Sequence, residues 1–202
     1  KHRGLNELLN HLATVFYGFA AFNWIPTHNN NHHKFANAPG DATITWRHSN
    51  RHTSLVAFTY PFVSMAYQVP LINAYVKEMR TKKPAHYRQV MVQLVICWGL
   101  PIALTFVDWR ATAAALWIPR LASLWLIIYF NYGQHVHCDP YSEWNHSRSF
   151  TSPVLNFLLF NNGFHSVHHM KPGAHWSLLP EMHAEVAHNM DPAVNVRSFW
   201  AW

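Results

Sequence analysis

Two apolar runs long enough to cross a membrane stand almost back to back in this chain. Residues 89–107 carry no charge, and residues 111–130 carry one, Arg120. Each is close to the ~20 residues that a helix needs to span hydrocarbon. Only Asp108-Trp109-Arg110 separates them, so the spacing predicts a tight transmembrane hairpin of two helices. Pro101 and Pro119 are compatible with such helices where neighbours satisfy the freed carbonyls. Arg120 is expected to face the protein interior or to snorkel toward the hairpin end. Trp109 and Trp117 fit an interfacial belt. Composition agrees: the chain is 50% hydrophobic, 15% aromatic and only 12% charged, which suits a bilayer-facing protein. The alternative is a soluble helical domain with two buried helices, and uncharged runs of this length argue against it.

Two further apolar stretches are harder to place. Residues 12–22 are too short to span and predict a buried or interfacial helix. Residues 54–76 are uncharged and long enough, but contain Pro61 and Pro70. If the histidine clusters described next form one site, an even number of spans must lie between them. The hairpin supplies two, so residues 54–76 are expected to lie in the interface or to re-enter. That topology keeps Lys77, Arg80, Lys82, Lys83 and Arg88 on the histidine side and leaves Arg110 opposite. The positive-inside rule then puts the histidines on the cytosolic face, at the inner membrane of a bacterium or the endoplasmic reticulum of a eukaryote. The net charge of +6 is thereby explained without nucleic acid, for which no basic stripe on a recognisable motif is present. Cys97 and Cys138 make no disulfide framework. No repeat or linker divides residues 1–202, so a single all-α domain is expected. Its proline-punctuated end (Pro172, Pro180, Pro192) should form short helices over the histidine-rich cap.

Histidines gather in three clusters: His28-Asn29-Asn30-Asn31-His32-His33, Asn131-Tyr132-Gly133-Gln134-His135-Val136-His137 and His165-Ser166-Val167-His168-His169. Imidazole is the commonest metal ligand and suits iron, zinc and copper. On an α-helix, positions i and i+4 share a face. His28 and His32 are therefore expected at one ion, with His33 turned to a neighbouring one. His165 and His168 repeat this, with His169 offset. Asn131 and His135 also stand at i and i+4, which favours His135 over His137 for the same ligand position. So many donors exceed the four that zinc takes and suit two metals, with non-haem iron and O2 chemistry the best match and copper or dizinc as alternatives. Glu143-x-x-His146 and Glu185-x-x-His188 match the ferritin-like di-iron pattern, but their polar, proline-flanked surroundings lack bundle heptads. An acceptor should fix the ring N–H of a ligating histidine, with Asp139 the candidate. His48 and His52 read as solvated, and His175 as positioning the third cluster or the substrate.

These motifs, above all Asn162-Gly163-Phe164-His165-Ser166-Val167-His168-His169, resemble the histidine boxes of the integral-membrane fatty acid desaturase superfamily, and the likeness covers nearly the whole chain. The resemblance implies two irons that use O2 and two electrons to oxidise an unactivated C–H bond of a fatty acyl chain on a lipid, CoA or acyl carrier protein. The outcome is an alkene, or an alcohol or ketone if the protein is a hydroxylase or ketolase of the same superfamily. A zinc-dependent membrane hydrolase, or an inactive fragment, is the competing class. Trp24, Phe35, Trp46, Phe164 and Trp176 are candidate substrate walls. No haem, flavin or nucleotide motif appears, so electrons should come from a separate protein such as a ferredoxin or cytochrome b5. The family's first box, H-x3-4-H, is not matched by His2 or His11. The chain opens on Lys1, and that box is expected before it.

Overall fold

The computed structural model describes residues 2–201, and these form an all-α protein with one pair of two-residue strands. Helix α1 is Arg3–Tyr17. After it, Ile25–His32 winds as a π-helix and runs into a single α turn, His33–Phe35. Three long helices follow: α2 (Ser54–Lys82), α3 (Pro84–Val107) and α4 (Trp109–His135), each long and apolar enough to cross a membrane. The remainder comprises β1 (Ser149–Phe150), α5 (Pro153–Leu158), α6 (His165–Met170), α7 (Leu179–Val186) and β2 (Asn195–Val196). The strands pair in parallel, Ser149 opposite Asn195 and Phe150 opposite Val196.

The chain divides into two compact units, one made of the residues up to Asn30 with Met65–Ile128, the other of Asn31–Ser64 with the chain from Tyr129 onward. In the first unit, α3 and α4 form the expected hairpin. The Asp108 carboxylate caps α4 by accepting from the Arg110 and Ala111 amides, both at 3.0 Å. Trp117 Nε1 donates to Thr105 Oγ1 at 2.9 Å from one helix to the other. Phe106, Val107, Ile118 and Leu121 are largely exposed, as a lipid-facing surface requires. Each helix contains a π turn, Val95–Gly99 and Ala113–Trp117, two residues ahead of its proline. Widening the turn adjusts the carbonyls to the missing N–H.

Arg120 is buried, and its charge has a structural use. Pro101 has no N–H, so the Cys97 carbonyl cannot take the ordinary α-helical bond. Arg120 Nη2 donates to that carbonyl at 2.6 Å and to Cys97 Sγ at 3.3 Å. Its Nη1 donates to Thr14 O and Val15 O, carbonyls left over at the end of α1. That helix stops at Gly18, whose φ is +83°. A Cβ there would lie 2.8 Å from Arg120 O, so glycine is required for both conformation and space. The helix expected over residues 12–22 therefore begins earlier and ends earlier. Its Leu5, Leu8, Leu9, Leu12 and Phe16 form an exposed apolar row, the pattern of an interfacial helix. Ala20, Phe22, Val90 and Cys97 form the core beneath, with Phe22 stacked on Tyr75.

Helix α2 runs unbroken through Pro61 and Pro70, so no re-entrant break forms there. In the second unit, Val167, Leu179 and Met190 form a small core against Phe164 and Val186. Replacing Arg120 with Met should lower the thermal unfolding midpoint in detergent by the equivalent of roughly 3 kcal/mol, since several buried carbonyls lose a charged donor. Gly18→Ala should cost roughly 1–3 kcal/mol through the left-handed backbone. Unchanged midpoints in both variants would show that the Arg120 pin is not holding this unit.

Candidate metal centre

Four imidazoles meet within the second unit. His32, His135, His165 and His169 each direct a ring nitrogen into one group whose ligand atoms all lie within 4.8 Å of one another. His135 comes from the last residue of α4; His165 and His169 are one turn apart on α6. His135 Nε2 is 3.0 Å from His165 Nε2, and His169 Nε2 is 3.1 Å from the same atom. The His32 ring packs edge-on against His135 and His169, with centroids 4.7 and 4.8 Å away. Beside this group His33 Nε2 meets His168 Nε2 at 3.1 Å. Burial, with the neighbouring imidazoles adding to it, pushes both His33 and His168 down to about 4. His169 is lowered by burial first and by His165 next. These rings are uncharged at neutral pH, the form that ligates metal.

The pairings differ from those expected of α-helical spacing. His165 joins His169 rather than His168, and His168 joins His33.

A turn between residues 36 and 45 aims the site. The buried Asp41 carboxylate accepts from His32 Nδ1 at 2.8 Å, which makes Nε2 the atom of that ring that could ligate a metal. Asp41 also accepts from the Asn37 amide, the Thr43 amide and the Thr43 hydroxyl, each at 2.7 Å. Burial alone would raise this carboxyl. The hydrogen bond and charge of His32, with the Thr43 bonds, outweigh it and hold Asp41 below the usual carboxylate range. Asp139, the acceptor expected from sequence, is exposed and instead caps its own turn through the Tyr141 amide. Asp41 had no signal in the sequence beyond its nearness to the first cluster.

The other candidates are placed as follows. Asn131 Nδ2 lies 3.3 Å from His32 Nε2. His137 is exposed, has a φ of +60° and packs against His52, centroids 4.5 Å apart, rather than against the four-histidine group. His28 stacks edge-on against Trp24 and bonds Asn29. His175 caps the turn Trp176–Leu178. Glu143, Glu185 and His188 are exposed, so the ferritin-like pattern does not assemble. Phe164 and Trp176 line an open, mostly apolar hollow of about 510 Å³ with Phe157 and Phe160. Phe35 packs under Gly40, and Trp46 is exposed.

The donor set fits metal. The Nε2 atoms of His135 and His169 both face that of His165, at 3.0 and 3.1 Å, where no acid stands between them. The fatty acid desaturase family matches the chain over residues 1–200. This chain belongs to the fatty acid desaturase family. No curated protein and no solved structure matches it. The desaturase family is a class of membrane oxidoreductases with di-iron histidine boxes, and it includes hydroxylase-type members. Membership makes this an integral membrane protein of that class, and the family implies a lipid acyl substrate.

Asp41→Asn should weaken metal binding about 10–100-fold, measured by competition with a chromophoric chelator, because the ring of His32 loses its charged orienting partner. His168→Ala should lower bound metal. His86→Ala should not, since His86 bonds Tyr75 instead.

Proposed function

We propose that this protein is an O2-dependent di-iron desaturase of fatty acyl chains, with residues 1–202 acting as one catalytic domain. The observation that carries this reading is the set of nitrogen–nitrogen edges at 3.0–3.1 Å among the clustered imidazoles. Two ligands bonded at about 2.1 Å lie about 3.0 Å apart at a right angle and about 3.4 Å apart at the tetrahedral angle. The edges favour an octahedral ion such as iron over tetrahedral zinc. His32, His135, His165 and His169 would hold one ion, and His33 and His168 part of the second.

Asn131 is assigned as a further oxygen ligand. Tyr60 has one hydroxyl hydrogen and two neighbours that would take it, Thr43 O at 2.6 Å and the Asn131 amide oxygen at 2.8 Å. With that hydrogen given to Thr43, a half-turn of the Asn131 amide lets its NH2 donate to Tyr60 and presents its oxygen beside His32.

The two irons would supply O2 activation and hydrogen removal, converting –CH2–CH2–, O2, two electrons and two protons into –CH=CH– and two waters. The chain's own part is to hold the rings, exclude water and position the acyl carbon. Phe164 and Trp176 are proposed to wall the acyl chain, whether its carrier is lipid, CoA or acyl carrier protein.

His32 precedes α2 and His135 ends α4, yet both rings belong to one group. With that group on one side of the bilayer, two of the three long helices cross. The hairpin supplies those crossings, and α2 lies along the interface with the exposed Lys77, Arg80, Lys82, Lys83 and Arg88 on the cytosolic face. This basic surface suits an acidic electron donor such as a ferredoxin or cytochrome b5.

The test is turnover of the full chain in lipid nanodiscs with ferrous iron, a reductase–donor pair and acyl substrates, read by mass spectrometry. A product lighter by two hydrogens is expected. One heavier by an oxygen makes the protein a hydroxylase. Tight zinc with no iron and no oxidised product would end the reading. Donor reduction rates should fall as ionic strength rises.

A further inference from the structure

A groove of about 620 Å³ runs between α1 and the first turns of α3, within the first unit. Its depth in the bilayer follows from the sequence of α3. Arg88 and Asp108 bracket the uncharged run 89–107, which is 19 residues long. A helix of that length rises about 28 Å, close to the ~30 Å of bilayer hydrocarbon. Arg88 therefore stands at one headgroup boundary and Asp108 at the other. The second wall of the groove, α1, carries its exposed row of leucines on an adjoining face, as a helix lying in that boundary does.

The groove offers donors whose companion acceptors are already used. Gln93 Oε1 accepts from the Phe22 amide at 2.8 Å. A backbone N–H can only donate, so the side-chain NH2 of Gln93 is left over. Gln89 Oε1 faces His86 Nδ1 at 3.3 Å, with Tyr75 OH 2.8 Å from the other ring nitrogen, and the Gln89 NH2 is left over as well. Arg88 is exposed and has no acid or carbonyl partner among the described residues. Asn10 and His11 line the groove from α1. One turn beyond Arg88, on the hydrocarbon side, Val92 lines it too, and Val95 follows on α3; both are exposed. Donors at the boundary with an apolar strip leading into the hydrocarbon suit a molecule with an anionic head and an apolar tail. Glu7 also lines the groove, and an acid there disfavours a small multiply charged anion and suits a diester of single charge.

We propose that this groove binds a phospholipid, with its phosphodiester held by Arg88 and the amides of Gln89 and Gln93 and one acyl chain laid along Val92 and Val95. A free phosphate shares the oxygens that a guanidinium takes, but it lacks the tail. The two walls are held at a fixed spacing, because Arg120 donates to the Thr14 carbonyl of α1 and to the Cys97 carbonyl of α3. Of the cations proposed above to face an electron donor, Arg88 is the one that lines this groove. The inference needs the membrane hairpin and is independent of the metal reading.

The test is native mass spectrometry of the full chain in detergent, titrated with palmitoyl-oleoyl phosphatidylglycerol. A single lipid should be retained per chain. Diacylglycerol with the same acyl chains should bind about tenfold more weakly or less, and excess inorganic phosphate should not displace the lipid. Arg88→Gln removes the cation. Gln89→Glu keeps the oxygen that faces His86 and turns the donor into an acid. Each should weaken phosphatidylglycerol about tenfold, the size of one hydrogen bond to a charged group. Arg80→Gln removes an exposed charge outside the groove and should bind as wild type does. An equal loss in Arg80→Gln would make the effect diffuse surface charge and overturn the proposal. Equal binding of diacylglycerol, displacement by phosphate, or wild-type affinity in both groove variants overturns it too. If Arg88→Gln loses its thermal unfolding transition, Gln89→Glu decides alone.

Discussion

The second unit is organised around uncharged imidazole nitrogens that point at one another inside the protein. Contacts of 3.0–3.1 Å between ring nitrogens leave no room for a solvating layer. A neutral imidazole has one N–H and one lone pair, so an array of such nitrogens facing one another cannot satisfy all its lone pairs from within. A divalent ion relieves this by taking several lone pairs at once. The same demand explains why three remote parts of the chain converge: the π-helical segment, the end of α4 and the short helix α6. None of them is long enough beyond the membrane-length helices to form a core by itself.

The turn from Ala36 to Thr45 turns that convergence into geometry. Asn37 Nδ2 donates to the His135 carbonyl at 3.2 Å, and its side-chain oxygen accepts from the Thr45 amide at 2.8 Å. Asp41, within the same turn, fixes the His32 ring. One short loop therefore holds the ring of one ligand and the backbone of another. Its backbone is unusual, with φ of +43° at Ala36, +70° at Asn37 and +108° at Gly40. Left-handed positions at non-glycine residues cost of order 1–3 kcal/mol each, and the Asp41 and Asn37 hydrogen bonds offset that cost.

The membrane hairpin was legible because its signals are local. An uncharged run, an Asp108 cap and a second run need no tertiary information. The histidine clusters were legible for the same reason, since ligands from one element must be close in sequence. Their division between groups was not. His165 and His168 stand at i and i+3, yet His165 meets His169 and His168 meets His33, a pairing that only the packing of remote segments decides. The limits of α1 were misplaced because residues 12–22 are the more continuously apolar stretch, whereas the helix is set by the spaced row from Leu5 to Phe16 and by the stop at Gly18. Asp41 escaped notice because its role arises from a tertiary turn. Asp139 looked equally suitable until its carboxylate was found satisfying its own loop.

The absence of carboxylates among the grouped ligands has an electrical consequence. In ferritin-like sites glutamates neutralise the ions. Here the described donors at the four-histidine group are imidazoles, and the carboxylate bonded to one of them is Asp41, behind His32. Ions held this way would keep nearly their full charge in a poorly solvated space. Such a site favours gaining electrons and binding electron-rich ligands, because added negative charge is stabilised by uncompensated cations at low dielectric. It also makes the orienting carboxylate matter more than its distance suggests. Asp41 provides negative charge through an aligned hydrogen bond, and it is itself held in the anionic form by that bond and by Thr43. The chemistry open to the site is thus set as much by the single buried acid behind one histidine as by the histidines that face the ions.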